Sequence, residues 1–184
     1  MFALVKSPKS RATSDPKYDR EPHLPWAPVG EAPVSGIQAP LFGAEQHERT
    51  SDDYYTPEWV FQRMGIRFDL DVASPPGGIP WVPADRFFTM ADDGLSQEWE
   101  GRVWMNPPYS NTSPWVRRFI AHGNGVCLVP HAKAAWHLEL WGEADAVVVP
   151  RQFPFVGGWA FLPVWFAAFG PECVEAIGNL GRVR

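Results

Sequence analysis

The sequence predicts an α/β fold in which a mostly parallel sheet carries helices on both faces. Along residues 49–184, short apolar runs rich in β-branched and aromatic residues alternate with segments that have helix-start signals or one apolar face. Polar residues follow several of the predicted strands directly. Because open α/β sheets bind ligands at the carboxyl ends of their strands, these polar positions are the first candidates for a site.

The first 48 residues are rich in Pro, Ala, Ser and Gly and show no sustained periodicity. Prolines recur every few residues between positions 22 and 28, which prevents a regular element there. We therefore predict an extended or disordered arm at residues 1–48 and one folded domain at residues 49–184. The basic side chains of the arm could contact nucleic acid, and a solvated tail is the alternative that we favour.

The domain is predicted to begin with a helix and a strand. Thr56 is placed as the N-cap of the helix, Pro57 at its first position, and Gly65 at its end. The strand covers residues 66–72 and places Asp71 at its carboxyl end. A carboxylate there faces the ligand crevice of an open α/β sheet. For Asp69, on the same strand, a functional role and structural capping are equal alternatives.

Residues 79–100 give few regular signals. Residues 87–89 are predicted to form a short strand, and residues 92–95 a turn that leads into one turn of helix near Trp99. The next strand, at residues 102–105, is apolar and is followed at once by Asn106, Pro107, Pro108 and Tyr109.

These four residues carry the most specific chemistry in the sequence. Two prolines cannot donate backbone hydrogen bonds, so they end the strand and hold the following turn stiffly. The Asn106 amide oxygen and the Pro107 carbonyl would accept hydrogen bonds from the exocyclic amine of adenine, and Tyr109 would stack on the base. The alternative interpretation is a proline-stiffened turn without a catalytic role.

The sequence of the second half of the domain predicts further alternation of helices and strands. Ser113 and Pro114 begin a helix that runs to about His122, followed by a strand at 125–130, a helix at 132–141 and a strand at 144–150. Arg117 and Arg118 lie off the apolar face of the first helix. They are candidates for phosphate contact, with an ordinary solvated pair as an equal alternative. Residues 153–169 are predicted to form a β-hairpin that closes the fold.

Composition restricts the possible partners. The net charge is −5, and the charges of residues 1–50 balance, so the acidic excess lies in residues 51–184. Non-specific DNA affinity depends on phosphate neutralisation, so any DNA contact requires a local basic patch. Cys127 and Cys173 do not form a metal-type spacing, Cys127 reads as a buried thiol, and no metal site is predicted. No signal peptide or membrane-spanning apolar run is visible, so we expect a cytoplasmic protein, assumed monomeric, without a membrane partner.

Four motifs together resemble the phage-type DNA N6-adenine methyltransferases that use S-adenosylmethionine. They are Asp53-Tyr54-Tyr55-Thr56-Pro57, residues 68–74 (FDLDVAS), Asp93-Gly94-Leu95 with Trp99, and Asn106-Pro107-Pro108-Tyr109. They occur in the order of the family and at about its spacing, and the resemblance covers roughly residues 50–180. It implies a Rossmann-like methyltransferase fold with a C-terminal β-hairpin.

The resemblance also implies roles for individual residues. Cofactor binding is expected at Tyr55, Thr56, Pro57, Asp69, Asp71, Ala73 and Asp93. Catalysis is expected at Asn106, Pro107, Pro108 and Tyr109, and substrate binding at Tyr109, Arg117, Arg118 and either Phe153 or Phe155. For Asp93 a plain Asp-Gly turn is the alternative, and for the phenylalanines core packing.

The expected activity is S-adenosylmethionine-dependent methylation of adenine N6 in double-stranded DNA, on a flipped-out base. One departure weakens the cofactor part of this expectation. The usual glycine-rich turn after the first strand is replaced by Ser74-Pro75-Pro76-Gly77-Gly78, with glycine only at its end. The alternatives are methylation of RNA or of a protein glutamine, or a degenerate fold that only binds its ligands.

Overall fold

The computed structural model describes residues 52–151, 153–156, 158–159 and 163–184, with the backbone alone at 158–159. The arm predicted for residues 1–48 lies outside this range, so its conformation stays a prediction. Among the helices that the structure describes, none is long and apolar enough to cross a lipid bilayer.

The centre of the fold is a six-stranded sheet with the strand order β2-β1-β3-β4-β8-β5. The strands from β2 to β4 pair in parallel, and β8 runs antiparallel between β4 and β5. The sheet is therefore mostly parallel, as predicted. Its strands are β1 Phe68–Asp71, β2 Ala84–Phe87, β3 Val103–Met105, β4 Gly125–Pro130, β5 Ala146–Val148 and β8 Val164–Phe169, while β6 Pro154–Phe155 and β7 Gly158–Trp159 form a separate antiparallel pair.

Helices cover both faces of the sheet. They are α1 Glu58–Met64, α2 Thr112–His122, α3 Ala135–Glu143 and α4 Pro171–Gly178, and a 3-10 turn at Tyr109–Asn111 precedes α2. Buried residues of α1 and α4 belong to one apolar core, and those of α2 and α3 belong to the other. Side chains of β8 alternate between the two cores, because successive residues of a strand point to opposite faces. This arrangement confirms the predicted α/β class.

Several predicted elements are confirmed with small shifts. The strand at 125–130 is found with the predicted bounds, and the helix predicted to end near His122 ends there. The residue at its start is Asn111, which makes no side-chain capping bond, rather than Ser113. Gly65 ends α1 in a left-handed conformation, where its amide donates to the carbonyl of Phe61.

Other predictions about elements were wrong. Thr56 is not the N-cap of α1, since Pro57 occupies that position and no side chain caps the helix. The strand predicted at 87–89 lies earlier, because Ala84 to Phe87 pair with β1. Residues near Trp99 form turns instead of a helical turn. Helix α4 was not predicted, although Pro171 and Glu172 at its start are ordinary helix-start signals.

The predicted C-terminal hairpin is described only in part. Strands β6 and β7 pair in antiparallel fashion, and β8 enters the main sheet instead of pairing with them. Residues 157 and 160–162, which connect these strands, lie outside the described residues. The hairpin as a closing element therefore stays a prediction. The prediction of a buried thiol at Cys127 is confirmed.

Gly94 is a position where the fold requires glycine. A Cβ atom there would lie 2.3 Å from the carbonyl oxygen of Val72 and 3.2 Å from the ring of Trp115. We expect Gly94→Ala to lower the free energy of unfolding by about 1–3 kcal/mol, the usual cost of overpacking a buried site.

The matched control for this measurement is Gly142→Ala in α3, where a Cβ meets nothing within 4 Å. Alanine in a helix is favoured over glycine by roughly 0.5–1 kcal/mol, so this variant should be unchanged or slightly more stable. Equal stability of the two variants in urea denaturation would contradict the close approach at Gly94.

Candidate active site

Parallel pairing brings the carboxyl ends of three strands to one edge of the sheet. Asp71, the last residue of β1, pairs with Trp104 of β3, and Met105 pairs with Cys127 of β4. Asn106 follows β3 directly and His131 follows β4. Polar groups that end or follow three separate strands therefore lie at the edge where such sheets bind ligands, and two of them, Asp71 and Asn106, were predicted from the sequence.

The Asn106 side chain is held in one orientation. Its amide nitrogen Nδ2 donates to the carbonyl oxygen of Tyr54 at 2.8 Å. Its amide oxygen Oδ1 is buried and has no hydrogen-bond partner among the described residues. An orphaned buried acceptor is costly in a folded protein, and such atoms are usually satisfied by a ligand or by water. The geometry leaves Oδ1 available for an amine donor.

Aromatic rings surround Tyr109, the last residue of the motif. The Tyr109 ring lies 6.4 Å from the ring of Tyr54 and 6.3 Å from the ring of Phe155, and those two rings lie 5.2 Å apart. The Tyr109 hydroxyl is buried with no partner in the part of the chain that the structure describes. Burial, with a smaller effect of Cys127, raises the pKa of Tyr109 above its usual range, so the phenol is neutral.

A cavity of about 350 Å³ opens beside the motif. Residues 109–113 form one side of it, and Pro130, His131, Ala132 and Trp136 form the other. The sequence analysis did not assign His131 or Trp136. The signal that indicates His131 is its place directly after a predicted buried strand, next to the strand that carries Asn106. The cavity combines aromatic rings with hydroxyl, amide and imidazole groups, a set that suits a planar polar ring.

A second cavity, of about 190 Å³, lies on the other side of the sheet edge. It is lined by Asp71, by Ser74, Gly77 and Gly78 of the turn after β1, and by residues of the 79–87 segment. The turn that lacks the usual glycine pattern thus still borders a cavity. Prolines 75 and 76 are not among its lining residues.

Asp71 is a buried carboxyl group, with only 3% of its surface exposed. Its Oδ1 accepts a hydrogen bond from the backbone amide of Ala73 at 3.2 Å. Burial raises the pKa of Asp71 to about 7, against the opposing effects of the Ala73 amide and the Ser74 hydroxyl. A carboxyl group that titrates near neutrality at a cavity is a typical functional feature.

The segment before α1 lies across this edge of the sheet. Tyr55 forms an antiparallel bridge with Val156, whose amide donates to the Tyr55 carbonyl at 3.0 Å. The indole nitrogen of Trp81 donates to the Thr56 carbonyl at 2.9 Å. The Thr56 hydroxyl oxygen is buried and finds no partner within the described ranges. This segment therefore links the Asn106 motif, the β6 region and the loop that lines the second cavity.

Asp69 lies away from both cavities. It is exposed, its Oδ2 accepts from the backbone amide of Arg102 at 2.6 Å, and a Cβ on Gly101 would lie 2.2 Å from that same oxygen. These contacts match the structural alternative for Asp69, and a cofactor role for it stays a prediction. They hold the turn before β3, at the opposite end of the strand from Asn106.

Asp93 lies in a loop that is fixed to α2. Its backbone adopts φ +51°, a left-handed conformation that is uncommon for a residue other than glycine. The Trp99 indole donates to the Gly94 carbonyl at 2.8 Å, and its ring stacks against Trp115. These contacts of Trp99 fix the glycine that follows Asp93 against α2. A cofactor role for Asp93 stays a prediction.

The two arginines of α2 differ in their surroundings. Arg118 donates to the carbonyls of Leu95 and Gln97 and lies over the Trp99 ring, 5.1 Å from its centroid. These contacts engage Arg118 in the fold. Arg117 is 65% exposed and reaches Glu139 at 3.7 Å, a weak surface pair. Arg117 is therefore the better of the two candidates for phosphate contact.

Phe153 and Phe155 lie together near the site, with ring centroids 4.7 Å apart. Phe155 contacts the rings of Tyr54 and Tyr109, whereas Phe153 packs on Trp59 and Phe166 in the core. Of the two, Phe155 is the one that lies beside the Asn106–Tyr109 motif, and its role in substrate binding stays a prediction. The surroundings of Phe153 match core packing.

Comparison with known proteins gives two matches. A family model described as DNA N-6-adenine-methyltransferase (Dam) matches residues 43–151. A DNA N-6-adenine-methyltransferase of Haemophilus phage HP1 is 40% identical over 75 residues, which are 38% of this chain and 42% of that protein. The chain thus matches less than half the length of that relative. The range matched by the family model includes Asp71, Asn106 and Tyr109 and ends before β6.

The raised pKa of Asp71 predicts a pH dependence of stability. A carboxyl group with a pKa near 7 in the folded state and near 3.8 when exposed stabilises the fold fully below pH 3.8. That contribution is lost as the pH rises towards 7, with a slope of at most about 1.4 kcal/mol per pH unit. Asp71→Asn, which has no titrating group, should lack this slope. Urea denaturation from pH 4 to 8 measures it, and parallel curves for the two proteins would contradict a buried, neutral Asp71.

The orphaned hydroxyl of Tyr109 predicts that Tyr109→Phe keeps or increases stability. Removing a buried group without a partner avoids a desolvation cost of about 1–3 kcal/mol, while the ring packing is kept. Tyr109→Ala is the control and should lower stability, because it also removes the ring contacts. A loss of more than about 1 kcal/mol in the Phe variant would mean that the hydroxyl has a hydrogen-bond partner.

Proposed function

The chain belongs to the DNA N-6-adenine-methyltransferase (Dam) family, and on this premise we propose that it transfers a methyl group from S-adenosylmethionine to the N6 amine of adenine in DNA. The observation that supports the proposal best is the Asn106 side chain, whose buried Oδ1 has no partner among the described residues. Asn106 Oδ1 is the hydrogen-bond acceptor that the catalytic motif of the family presents to the substrate amine.

The chemistry follows from the weakness of the substrate nucleophile. The exocyclic nitrogen of adenine donates its lone pair into the ring, and hydrogen bonds from its two protons to protein acceptors return electron density to nitrogen. Asn106 Oδ1 accepts one of these bonds and the Pro107 carbonyl accepts the other. Neither oxygen takes up a proton near neutral pH, so these residues polarise and position the amine without acting as a general base. As the N–C bond forms and the sulfonium C–S bond breaks, the extra proton on the methylated nitrogen passes to water.

The residues around Asp71 suit the nucleoside part of the methyl donor. Asp71 is a buried acceptor for hydroxyl or amine donors, and the Thr56 hydroxyl is a buried polar group without a partner in the described ranges. The donor, when bound, supplies an electrophilic methyl group on its sulfonium. Asp71, Thr56 and the 74–78 turn would hold it on the β1 side of Asn106.

The cavity on the β4 side is then the place for the target base. Adenine in a duplex must leave the base stack before its amine reaches Asn106. The cavity of about 350 Å³ begins at Tyr109, whose ring is the stacking partner, and extends to His131 and Trp136. Base–aromatic stacking contributes about 1–3 kcal/mol per base. Arg117 would contact a phosphate at its rim.

The decisive experiment is incubation of the purified chain with methyl-labelled S-adenosylmethionine and unmethylated bacterial DNA, followed by nucleoside analysis. The expected product is labelled N6-methyl-2'-deoxyadenosine from DNA. Parallel reactions with RNA and with a total protein extract test the two other methyl acceptors. Label in either of those and none in DNA would overturn the proposal. Cofactor binding in calorimetry without transfer to any of the three would indicate a binding-only protein.

Asn106→Ala should abolish methyl transfer while the affinity for S-adenosylmethionine changes little. The reason is that Asn106 faces the substrate amine, whereas the cofactor residues lie on the β1 side. Labelled-methyl transfer and calorimetry measure the two properties on the same preparation. If the variant keeps more than about a tenth of the wild-type rate, it has lost less than about 1.4 kcal/mol of transition-state stabilisation and the assignment is wrong.

The affinity for S-adenosylmethionine should rise with pH in the wild-type protein. Hydrogen bonding from cofactor hydroxyls or amine favours the ionised form of Asp71, and burial raises its pKa to about 7, so binding must displace a proton at lower pH. We expect tighter binding at pH 8 than at pH 6. Asp71→Asn should bind at least tenfold more weakly at pH 8, or about 1.4 kcal/mol, and should show a flatter pH profile. Equal affinities at pH 8 would place the anchor elsewhere.

A further inference from the structure

Residues 52–56 cross the sheet edge as a strap, and we use that name for this segment below. Hydrogen bonds link it to Ser110, Asn106, Val156 and Trp81, which lie in different parts of the site. Asp52 accepts from the Ser110 amide at 2.9 Å and from the Ser110 hydroxyl at 2.6 Å. The Tyr54 carbonyl accepts from Asn106, the Tyr55 carbonyl from Val156, and the Thr56 carbonyl from Trp81.

The contact at Tyr54 determines which atom of Asn106 faces the substrate. A backbone carbonyl only accepts hydrogen bonds, so the group 2.8 Å from it must be the amide nitrogen. Rotation of the amide by a half turn would set two oxygens against each other and direct Nδ2 at the substrate. Nδ2 is a donor, and it would repel the amine protons that Oδ1 accepts.

We propose that the strap is a positioning element that orients the Asn106 amide through the Tyr54 carbonyl, with Asp52 as the positioning residue that anchors it to the catalytic turn. The inference rests on the proposed function, because it concerns the same amide oxygen. It makes asparagine, and not aspartate, the residue that this chain requires at the head of the motif.

Electrostatic repulsion distinguishes aspartate from asparagine at position 106. The methyl transfer itself needs only an acceptor oxygen, and a carboxylate is the stronger acceptor of the two. A carboxylate at position 106, however, would hold a charged oxygen against the Tyr54 carbonyl in a partly buried setting. That contact is repulsive, and it is relieved only when the new carboxyl group is protonated and donates to Tyr54. Aspartate would therefore work in its acid form.

The anchor at Ser110 holds the other end of the same unit. Ser110 lies four residues after Asn106, in the turn that leads into α2. Its backbone amide and its hydroxyl both donate to the Asp52 carboxylate. The strap is thus tied to the catalytic turn on both sides of the prolines. Loss of the Asp52 contacts would let the Tyr54 carbonyl and the Asn106 amide move apart.

The first test compares Asn106→Asp with the wild-type protein from pH 5 to pH 8, with labelled-methyl transfer at saturating cofactor and DNA. The variant-to-wild-type ratio of rates should be below one tenth at pH 8 and should rise at least tenfold as the pH falls. The ratio removes the titration of Asp52, Asp53, Asp71 and His131, which lie on the elements around the motif. A ratio that does not change with pH, or one above one half at pH 8, would overturn the proposal.

The second test compares Asp52→Ala, Asp52→Asn and Ser110→Ala. Asp52→Ala removes both contacts, while Ser110→Ala removes only the one from the hydroxyl, and Asp52→Asn keeps one acceptor oxygen. We expect kcat to fall most in Asp52→Ala and partly recover in Asp52→Asn, with KM for the cofactor within twofold. Equal losses in kcat and in cofactor affinity would indicate a general structural role and would contradict the proposal.

The two hypotheses fail in different ways. If the wild-type protein transfers no methyl group to DNA, the proposed function fails, and the variants have no rate to compare. If the wild-type protein is active and Asn106→Asp is equally active at pH 8, the function stands and the orienting strap is wrong. Thermal unfolding of each variant, measured in parallel, identifies any that fail to fold.

Discussion

The hydrogen-bonded register between β1, β3 and β4 is the constraint on which the site depends. Those pairings set Asp71 beside Trp104 and Met105 beside Cys127, so β1 and β3 end within one residue of each other, and β4 continues three residues further in the same direction. The groups that follow them come from distant parts of the sequence, and only this register brings them together. A shift of one residue in β3 would also exchange Trp104 and Met105 between the two apolar cores, because side chains alternate along a strand. Packing of the two cores therefore fixes the position of Asn106.

The sequence was sufficient for the class of the fold and for the residues at the strand ends, because both depend on local patterns. Short apolar runs reveal buried strands, and a carboxylate or Asn-Pro-Pro-Tyr after such a run is visible in the chain itself. It was insufficient where the outcome depends on partners distant in sequence. The neighbouring sequence does not show that Asp69 accepts a hydrogen bond from the Arg102 amide, or that Arg118 donates to the carbonyls of Leu95 and Gln97. It also does not show that Thr56 is not the N-cap of α1. Likewise, His131 joins the cavity only through strand order.

Several positive side chains on the described surface are already engaged in contacts within the protein. Four arginines of the described residues pair with carboxylates, at Asp85, Glu100, Glu172 and Glu139, and Arg118 is held by backbone carbonyls. Surface pairs of this kind contribute little to stability, but they reduce the positive charge that is presented to a phosphate backbone. If the domain acts on DNA as proposed, its acidic charge means that affinity would have to come mainly from few phosphate contacts and from stacking of an extruded base. The aromatic cluster of Tyr54, Tyr109 and Phe155 is consistent with that balance.

The site also concentrates polar groups that the fold leaves without partners. Asn106 Oδ1, the Tyr109 hydroxyl and the Thr56 hydroxyl are buried without hydrogen bonds among the described residues, and Asp71 is buried with one backbone donor. Each such group costs stability, so a fold selected for stability alone would have replaced them. Most of this cost falls at one edge of the sheet, and the apolar cores behind it add, among the described residues, the buried indole nitrogen of Trp165. The contrast is informative because Asn106 Nδ2, on the same side chain, donates to the Tyr54 carbonyl of the strap. The nitrogen of the amide fixes the orientation of the side chain, and in the proposed function the oxygen accepts from the substrate amine.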